Sequence, residues 1–108
     1  MTGSVDTIWG MPTITVLDFT AAWCGPCRTI APILAALEQE YRGQIEVVAI
    51  DVDAEPDRAQ AFGVRSMPTV VLVRAGREVG RVVGARSRAF FAGVIDRALD
   101  GDVAIASP

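Results

Sequence analysis

The chain has 108 residues, of which 51% are hydrophobic, and its 13 acidic and ten basic residues give a net charge of −3 at pH 7. This length suits one domain with a hydrophobic core, and the acidic balance argues against nucleic acid or an anionic membrane as the main partner. No apolar run is long enough to span a bilayer. Every basic residue is an arginine and there is no histidine, so proton transfer would have to use a carboxylate, a thiol or water.

The two ends of the chain are predicted to be a short N-terminal segment and a loose tail. The first residues lack the cation and the apolar stretch of a signal peptide, which predicts a cytoplasmic protein. Apolar residues at helical spacing between Ser4 and Trp9 predict one short helical turn. We therefore expect a single domain over residues 1–108, with 1–12 as a short N-terminal segment and 101–108 as a loose tail.

Side chains of alternating character from Ile14 to Phe19 predict the first β-strand. Ile14, Val16 and Asp18 fall on one face, and Leu17 and Phe19 fall on the other. Asp18 thus shares a face with two apolar residues, where burial would raise its pKa and make it a useful base near neutral pH. The alternative is an aspartate that is solvated at the end of the strand.

Six further elements follow the cysteine-containing segment. They are a helix from Arg28 to Tyr41 with a kink expected at Pro32, a nearly continuous apolar strand from Ile45 to Val52 covered on both faces, a helix from Pro56 to Phe62, strands at Thr69–Arg74 and Val79–Val83 joined through Ala75-Gly76-Arg77, and a last helix capped by Ser87. Alternating strands and helices followed by a hairpin and a helix predict a three-layer α/β sandwich.

The run Trp23-Cys24-Gly25-Pro26-Cys27 contains both cysteines of the chain and lies between a predicted strand and a predicted helix. Two thiols separated by two residues at such a junction indicate reversible disulfide chemistry. Cys24 is expected at the N-terminus of the helix, where free N–H groups and the helix dipole favour the thiolate. The alternatives are a structural disulfide and half of a zinc site. Zinc usually needs four Cys or His ligands, so a metal site within one chain is not expected.

Several motifs of the chain together resemble the thioredoxin family. They are Val16-Leu17-Asp18-Phe19, Trp23-Cys24-Gly25-Pro26-Cys27, Ala31-Pro32, Val64-Arg65-Ser66-Met67-Pro68-Thr69, Gly76 in the hairpin, and Gly84-Ala85 before the last helix. The similarity extends from about Ile14 to Leu99. It implies the thioredoxin fold, which is a three-layer α/β/α sandwich around a central mixed sheet of four or five strands.

The resemblance also implies a role for each residue of the site. Cys24 would attack the disulfide of a target protein, Cys27 would resolve the mixed disulfide, and Asp18 would assist proton transfer. A flat docking surface for an extended substrate segment would be formed by Trp23, Gly25, Pro26, Met67, Pro68, Gly84 and Ala85. The resemblance implies a cis bond between Met67 and Pro68, whereas the dipeptide alone would favour an ordinary trans turn. For Trp23 the alternative is core packing, but its position beside Cys24 favours shielding of the active site.

Three features depart from the family pattern. Thirteen residues precede Ile14, which is too few for a strand and a crossover helix, so the family's first edge strand is expected to be missing. Thr20 occupies a position where the family often has a tryptophan. Ala49 occupies a position where many members have a lysine that pairs with the buried aspartate, so that ion pair is not expected for Asp18.

The function implied is a protein-disulfide reductase, that is, a thiol–disulfide oxidoreductase with no bound cofactor. Gly25-Pro26 between the cysteines resembles the reducing members of the family. The partners would be disulfide-containing target proteins and a thioredoxin reductase, an NADPH-dependent flavoprotein, and the chain would be a monomer. The alternatives are a disulfide oxidase or isomerase and a non-catalytic binding module with the same fold.

Overall fold

The computed structural model describes residues 12–101 and the short strand at 104–106. Its elements in chain order are β1 (Ile14–Thr20), α1 (Gly25–Glu40), β2 (Ile45–Asp51), α2 (Pro56–Ala61), β3 (Thr69–Arg74), β4 (Arg77–Val83), α3 (Arg88–Leu99) and β5 (Ala104–Ala106). The predicted turn of helix from Ser4 to Trp9 lies outside the described residues, as does the segment on which the expected loss of the first edge strand depends. Within the described part of the chain, no helix is long and apolar enough to cross a membrane.

The strands form one mixed sheet in the order β2-β1-β3-β4-β5. β1 runs parallel to β2 and β4 runs parallel to β5, whereas β3 is antiparallel to both of its neighbours, β1 and β4. Parallel neighbours need a crossover, usually a helix, to return the chain. The two crossovers of this sheet are β1–α1–β2 and β4–α3–β5, and they enclose an antiparallel centre. This architecture confirms the mixed sheet expected from the sequence.

Each face of β1 packs against a different helical layer. Ile14 and Val16 belong to a core cluster that also contains buried residues of α1 and α3. Leu17 and Phe19 belong to a second cluster on the opposite face, which includes Ala59 of α2. The predicted alternation is confirmed, and the helices on the two faces make the three layers of an α/β/α sandwich.

Two local signals of the sequence have the expected structure. Ser87 is the N-cap of α3, and its side chain accepts a hydrogen bond from the Phe90 N–H at 3.1 Å. The β3–β4 turn has only two residues, Ala75 and Gly76, with φ of 51° and 77°. Positive φ at both positions matches the twist of a hairpin, so β4 begins at Arg77 rather than at Val79 as predicted.

Three elements differ from the prediction. α1 begins at Gly25, three residues earlier than predicted, and includes Pro32. β2 is not covered on both faces, because Ala49 is exposed. β2 lies at an edge of the described sheet. Residues 104–106, which were expected to belong to a loose tail, pair with the otherwise open edge of β4.

Candidate active site

The two cysteines lie at the N-terminus of α1 and form a disulfide with their Cα atoms 5.3 Å apart. Cys24 is the N-cap residue, with extended backbone angles of φ −97° and ψ 107°. Its Sγ accepts a hydrogen bond from the backbone N–H of Cys27 at 3.2 Å. A sulfur in this position receives a donor that the helix leaves unpaired, and the positive end of the helix dipole favours negative charge on it.

The residues between and beside the cysteines support this geometry. Pro26 lies in the first turn of α1, where its missing N–H would have had no partner within the helix. The backbone N–H of Cys24 donates to the carbonyl of Ala21 at 3.1 Å. The first turn contains no acidic side chain, so no carboxylate there opposes a thiolate on Cys24.

Both cysteines are largely covered. Cys24 retains 4% of its surface and Cys27 retains 1%, and they pack with Ala21 and the partly buried Met67. Cys24 is the more exposed of the two by a small margin. The residues around the pair form the surface, since Trp23 is 67% exposed and Gly25 and Pro26 are also exposed.

Trp23 is a surface residue, which excludes the alternative that it fills the core. Its indole Nε1–H donates to Oδ2 of Asp53 at 2.9 Å, and the N–H of Asp53 donates to Oδ1 of Asp51 at 2.9 Å. The segment after β2 thus holds the tryptophan beside Cys24. Asp53 was not among the predicted site residues, because nothing in the sequence relates two residues 30 positions apart.

Asp18 is buried, with 4% of its surface exposed, which excludes the solvated alternative. It lies on the face of β1 that packs against α1, the helix that contains Cys27. Its Oδ1 has no hydrogen-bond partner, and within residues 12–101 it forms no ion pair. Its partner in the β1–β2 register is Ala49, which offers no charge. Loss of hydration therefore raises the pKa of Asp18 from 3.8 to about 6, as the sequence predicted in direction.

Met67 and Pro68 connect the cysteines to the end of β4. The bond between them is cis, as the resemblance implied. Met67 packs against the cysteine cluster, and the carbonyl of Pro68 accepts a hydrogen bond from the N–H of Gly84 at 2.9 Å. The buried hydroxyl of Thr69 donates to the carbonyl of Ser66 at 2.7 Å and holds this loop from behind. The predicted docking residues fall in three segments, at 23–26, 67–68 and 84–85. These contacts make the three segments neighbours in space.

One groove of the structure lies away from the cysteines. A groove of about 490 Å³ lies on α3 and is lined by Ala89, Phe90, Gly93, Val94 and Arg97, none of which belongs to the predicted site. Among the described residues, no group of three or more His, Cys, Asp or Glu side chains could hold a metal ion.

Comparison with known proteins agrees with this geometry. The family model described as Thioredoxin matches residues 6–97. The chain belongs to the thioredoxin family. A thioredoxin from Synechocystis sp. is 38% identical over 84 residues, which cover 78% of each protein. The mitochondrial thioredoxin 3 of Saccharomyces cerevisiae, in its oxidised form, has the same fold with a TM-score of 0.71 and 36% identity, and the match covers 87% of this chain and 88% of that one.

A third relative combines two proteins in one chain. The bifunctional thioredoxin reductase/thioredoxin of Mycobacterium leprae is 45% identical over 74 residues, which cover 68% of this chain and 16% of that protein.

Membership of the thioredoxin family establishes the reaction class. The chain is a thiol–disulfide oxidoreductase that reduces protein disulfides. Its redox-active group is the disulfide between its own Cys24 and Cys27 rather than a bound cofactor. The alternatives of an oxidase, an isomerase or a non-catalytic binding module are not favoured.

Proposed function

We propose that Cys24 is the attacking thiol and Cys27 the resolving thiol of this reductase. The Cys24 thiolate attacks one sulfur of a target disulfide, forms a mixed disulfide and releases the other sulfur as a thiolate. The Cys27 thiolate then attacks Sγ of Cys24, and the target leaves with both sulfurs reduced while the Cys24–Cys27 bond forms. The N-cap position of Cys24 and the hydrogen bond to its sulfur support this order.

Asp18 is the proton acceptor for Cys27 in this scheme, acting through a water molecule. Two observations support the role. Asp18 lies on the face of β1 beneath the helix that contains Cys27, with one carboxylate oxygen that has no partner. Burial also raises its pKa to about 6, which makes it a stronger base near neutral pH than an exposed carboxylate. The chain has no histidine that could take this role instead.

The target docks on the surface around the cysteines as an extended segment. Its residues are Trp23, Gly25, Pro26, Met67, Gly84 and Ala85, together with Pro68, which is itself buried and whose carbonyl holds Gly84 in place. Strand addition to the backbone at Met67 would align the target's disulfide with Cys24. The packing of Met67 on the cysteine cluster and the hydrogen bond from Gly84 to Pro68 support this assignment, because they make the three segments one continuous surface.

The oxidised protein is returned to the dithiol by a thioredoxin reductase, an NADPH-dependent flavoprotein. The name of the Mycobacterium leprae relative supports this pairing, since that protein combines both activities in one chain. The protein thus works as a monomeric electron carrier in the cytoplasm, between NADPH and disulfide-containing targets. The reaction itself uses thiols and one carboxylate, all of which the chain supplies.

The test is reduction of the insulin disulfides in the presence of NADPH and a thioredoxin reductase. The wild type should oxidise NADPH continuously as insulin is reduced, and Cys24→Ser should reduce the rate to that of the reductase alone. Ala22→Ser serves as a control for an exposed substitution beside the motif. Insulin reduction by Cys24→Ser at the wild-type rate would overturn the proposal.

A further inference from the structure

Each of the three segments of the docking surface has an arginine within two residues. Arg28 directly follows Cys27, Arg65 precedes Met67 by two residues, and Arg86 directly follows Ala85. Because the contacts described above bring the three segments together, the three arginines lie around one surface. The surface therefore has a basic border although the whole chain has a net charge of −3.

These three arginines lack carboxylate partners within residues 12–101. Three other arginines of the same part of the chain form ion pairs, namely Arg58 with Glu55, Arg81 with Glu78 and Arg88 with Glu40. Arg28 and Arg65 are exposed and Arg86 is half-buried. Their charges are therefore available to a molecule that docks beside Cys24.

Two of the guanidinium groups are also held in place. Nη1 of Arg28 donates to the carbonyl of Ala22 at 2.7 Å, and the guanidinium of Arg86 stacks over the ring of Phe90 at 3.9 Å from its centroid. Each interaction leaves further N–H groups of the planar fork free to bind a carboxylate. A side chain that is already fixed loses less conformational entropy when it binds.

One exposed carboxylate, that of Asp53, lies beside Trp23 at this border. Oδ2 of Asp53 accepts the indole hydrogen bond of Trp23, and Asp18 is buried. Asp51 contacts the same segment, since its Oδ1 accepts from the Asp53 N–H, and salt screens charges that lie beyond about 8–10 Å from the surface at physiological ionic strength. The three arginines therefore outnumber the two aspartates at the Trp23 side of the surface.

We propose that the docking surface selects protein disulfides that have Asp or Glu residues beside the cystine, and that Arg28, Arg65 and Arg86 recognise those carboxylates. The inference rests on the proposed function and adds the substrate class. It predicts that target charge changes the rate of mixed-disulfide formation, because attraction between opposite charges raises the association rate and is weakened by salt.

The experiment uses the reduced protein and two disulfide-bonded peptides that differ only in four residues beside the cystine, which are Glu in one and Gln in the other. The second-order rate constant of thiol–disulfide exchange is measured at low and high salt by trapping free thiols. We expect the acidic peptide to react about ten-fold faster at low salt, and the ratio of the two rate constants to approach one at 1 M salt.

The variants Arg28→Gln, Arg65→Gln and Arg86→Gln should each lower that ratio about two- to three-fold, and the triple variant should bring it close to one. Arg77→Gln is the matched control, because it removes the same charge at the far end of β4, roughly 20 Å from the docking surface along the strand. Dividing by the rate for the Gln peptide corrects for any general loss of reactivity.

Equal reactivity of the two peptides with the wild type would overturn the inference. An equal decrease of the ratio in Arg77→Gln and in the docking-surface variants would also overturn it, because net charge rather than local recognition would then explain the preference. Failure of the proposed function has a different result: neither peptide would react with the wild type, or Cys24→Ser would react as fast as the wild type.

Discussion

Asp18 is a buried carboxylate that the fold accommodates at a cost, and replacing it by Asn should reveal that cost. It has 4% of its surface exposed and one oxygen without a hydrogen-bond partner. Ala49, its register partner on β2, supplies no positive charge. Ionisation of the Asp18 carboxyl is therefore less favourable in the folded protein than in the unfolded chain. Asn has a similar shape and no charge, so it does not have this cost.

The magnitude follows from the two pKa values. Folding raises the pKa of Asp18 from 3.8 to about 6, so between these values the folded state binds more protons than the unfolded state. The free energy of unfolding of the wild type therefore decreases as pH rises through this range and stays lower above it. A difference of 2.2 between the pKa values corresponds to at most about 3 kcal/mol, of which about 2 kcal/mol falls between pH 4 and pH 7.5.

The assay is urea denaturation of the oxidised wild type and of Asp18→Asn at several pH values, followed by tryptophan fluorescence. Burying an amide also has a cost, but that cost does not depend on pH. The difference in unfolding free energy between Asp18→Asn and wild type should thus increase by about 2 kcal/mol from pH 4 to pH 7.5 in favour of Asn. A difference that is constant across this range would refute the reasoning.

Three further predictions concern neighbouring features. Thr69→Val leaves the carbonyl of Ser66 without its 2.7 Å hydrogen bond and should lower the unfolding free energy by about 1–2 kcal/mol in urea; unchanged stability would contradict this. Deletion of residues 102–108 removes β5, so amide hydrogen exchange in the paired part of β4 should accelerate about ten-fold, while α1 serves as the control. Asp53→Ala frees the indole of Trp23 and should lower kcat/KM for insulin reduction about two- to five-fold, against unchanged stability in urea.

Local patterns predicted much of the fold and of the site because they depend only on nearby residues. The two faces of β1 follow from the period of two in a strand, which also placed Asp18 on the face toward α1. Ser87 was recognised as a cap because its side chain competes for free N–H groups at a helix start. The disulfide between Cys24 and Cys27 is also a local feature, because only two residues separate the two thiols.

The features that the sequence did not predict depend on distant residues. The exposure of Ala49 follows from the position of β2 in the strand order, which periodicity does not report. Residues 104–106 are too few to give a strand signal, and they pair because β4 offers an open edge. The hydrogen bond between Trp23 and Asp53 joins residues from two loops that only the folded sheet brings together.

The most direct test of the account is to trap the intermediate of the reaction. Cys27→Ser should form a stable mixed disulfide with a disulfide-containing protein, and mass spectrometry of its peptides should locate the bond at Cys24. Cys24→Ser should form no such adduct at a comparable rate under the same conditions. An adduct located at Cys27, or equal trapping by the two variants, would contradict the assignment of Cys24 as the attacking sulfur.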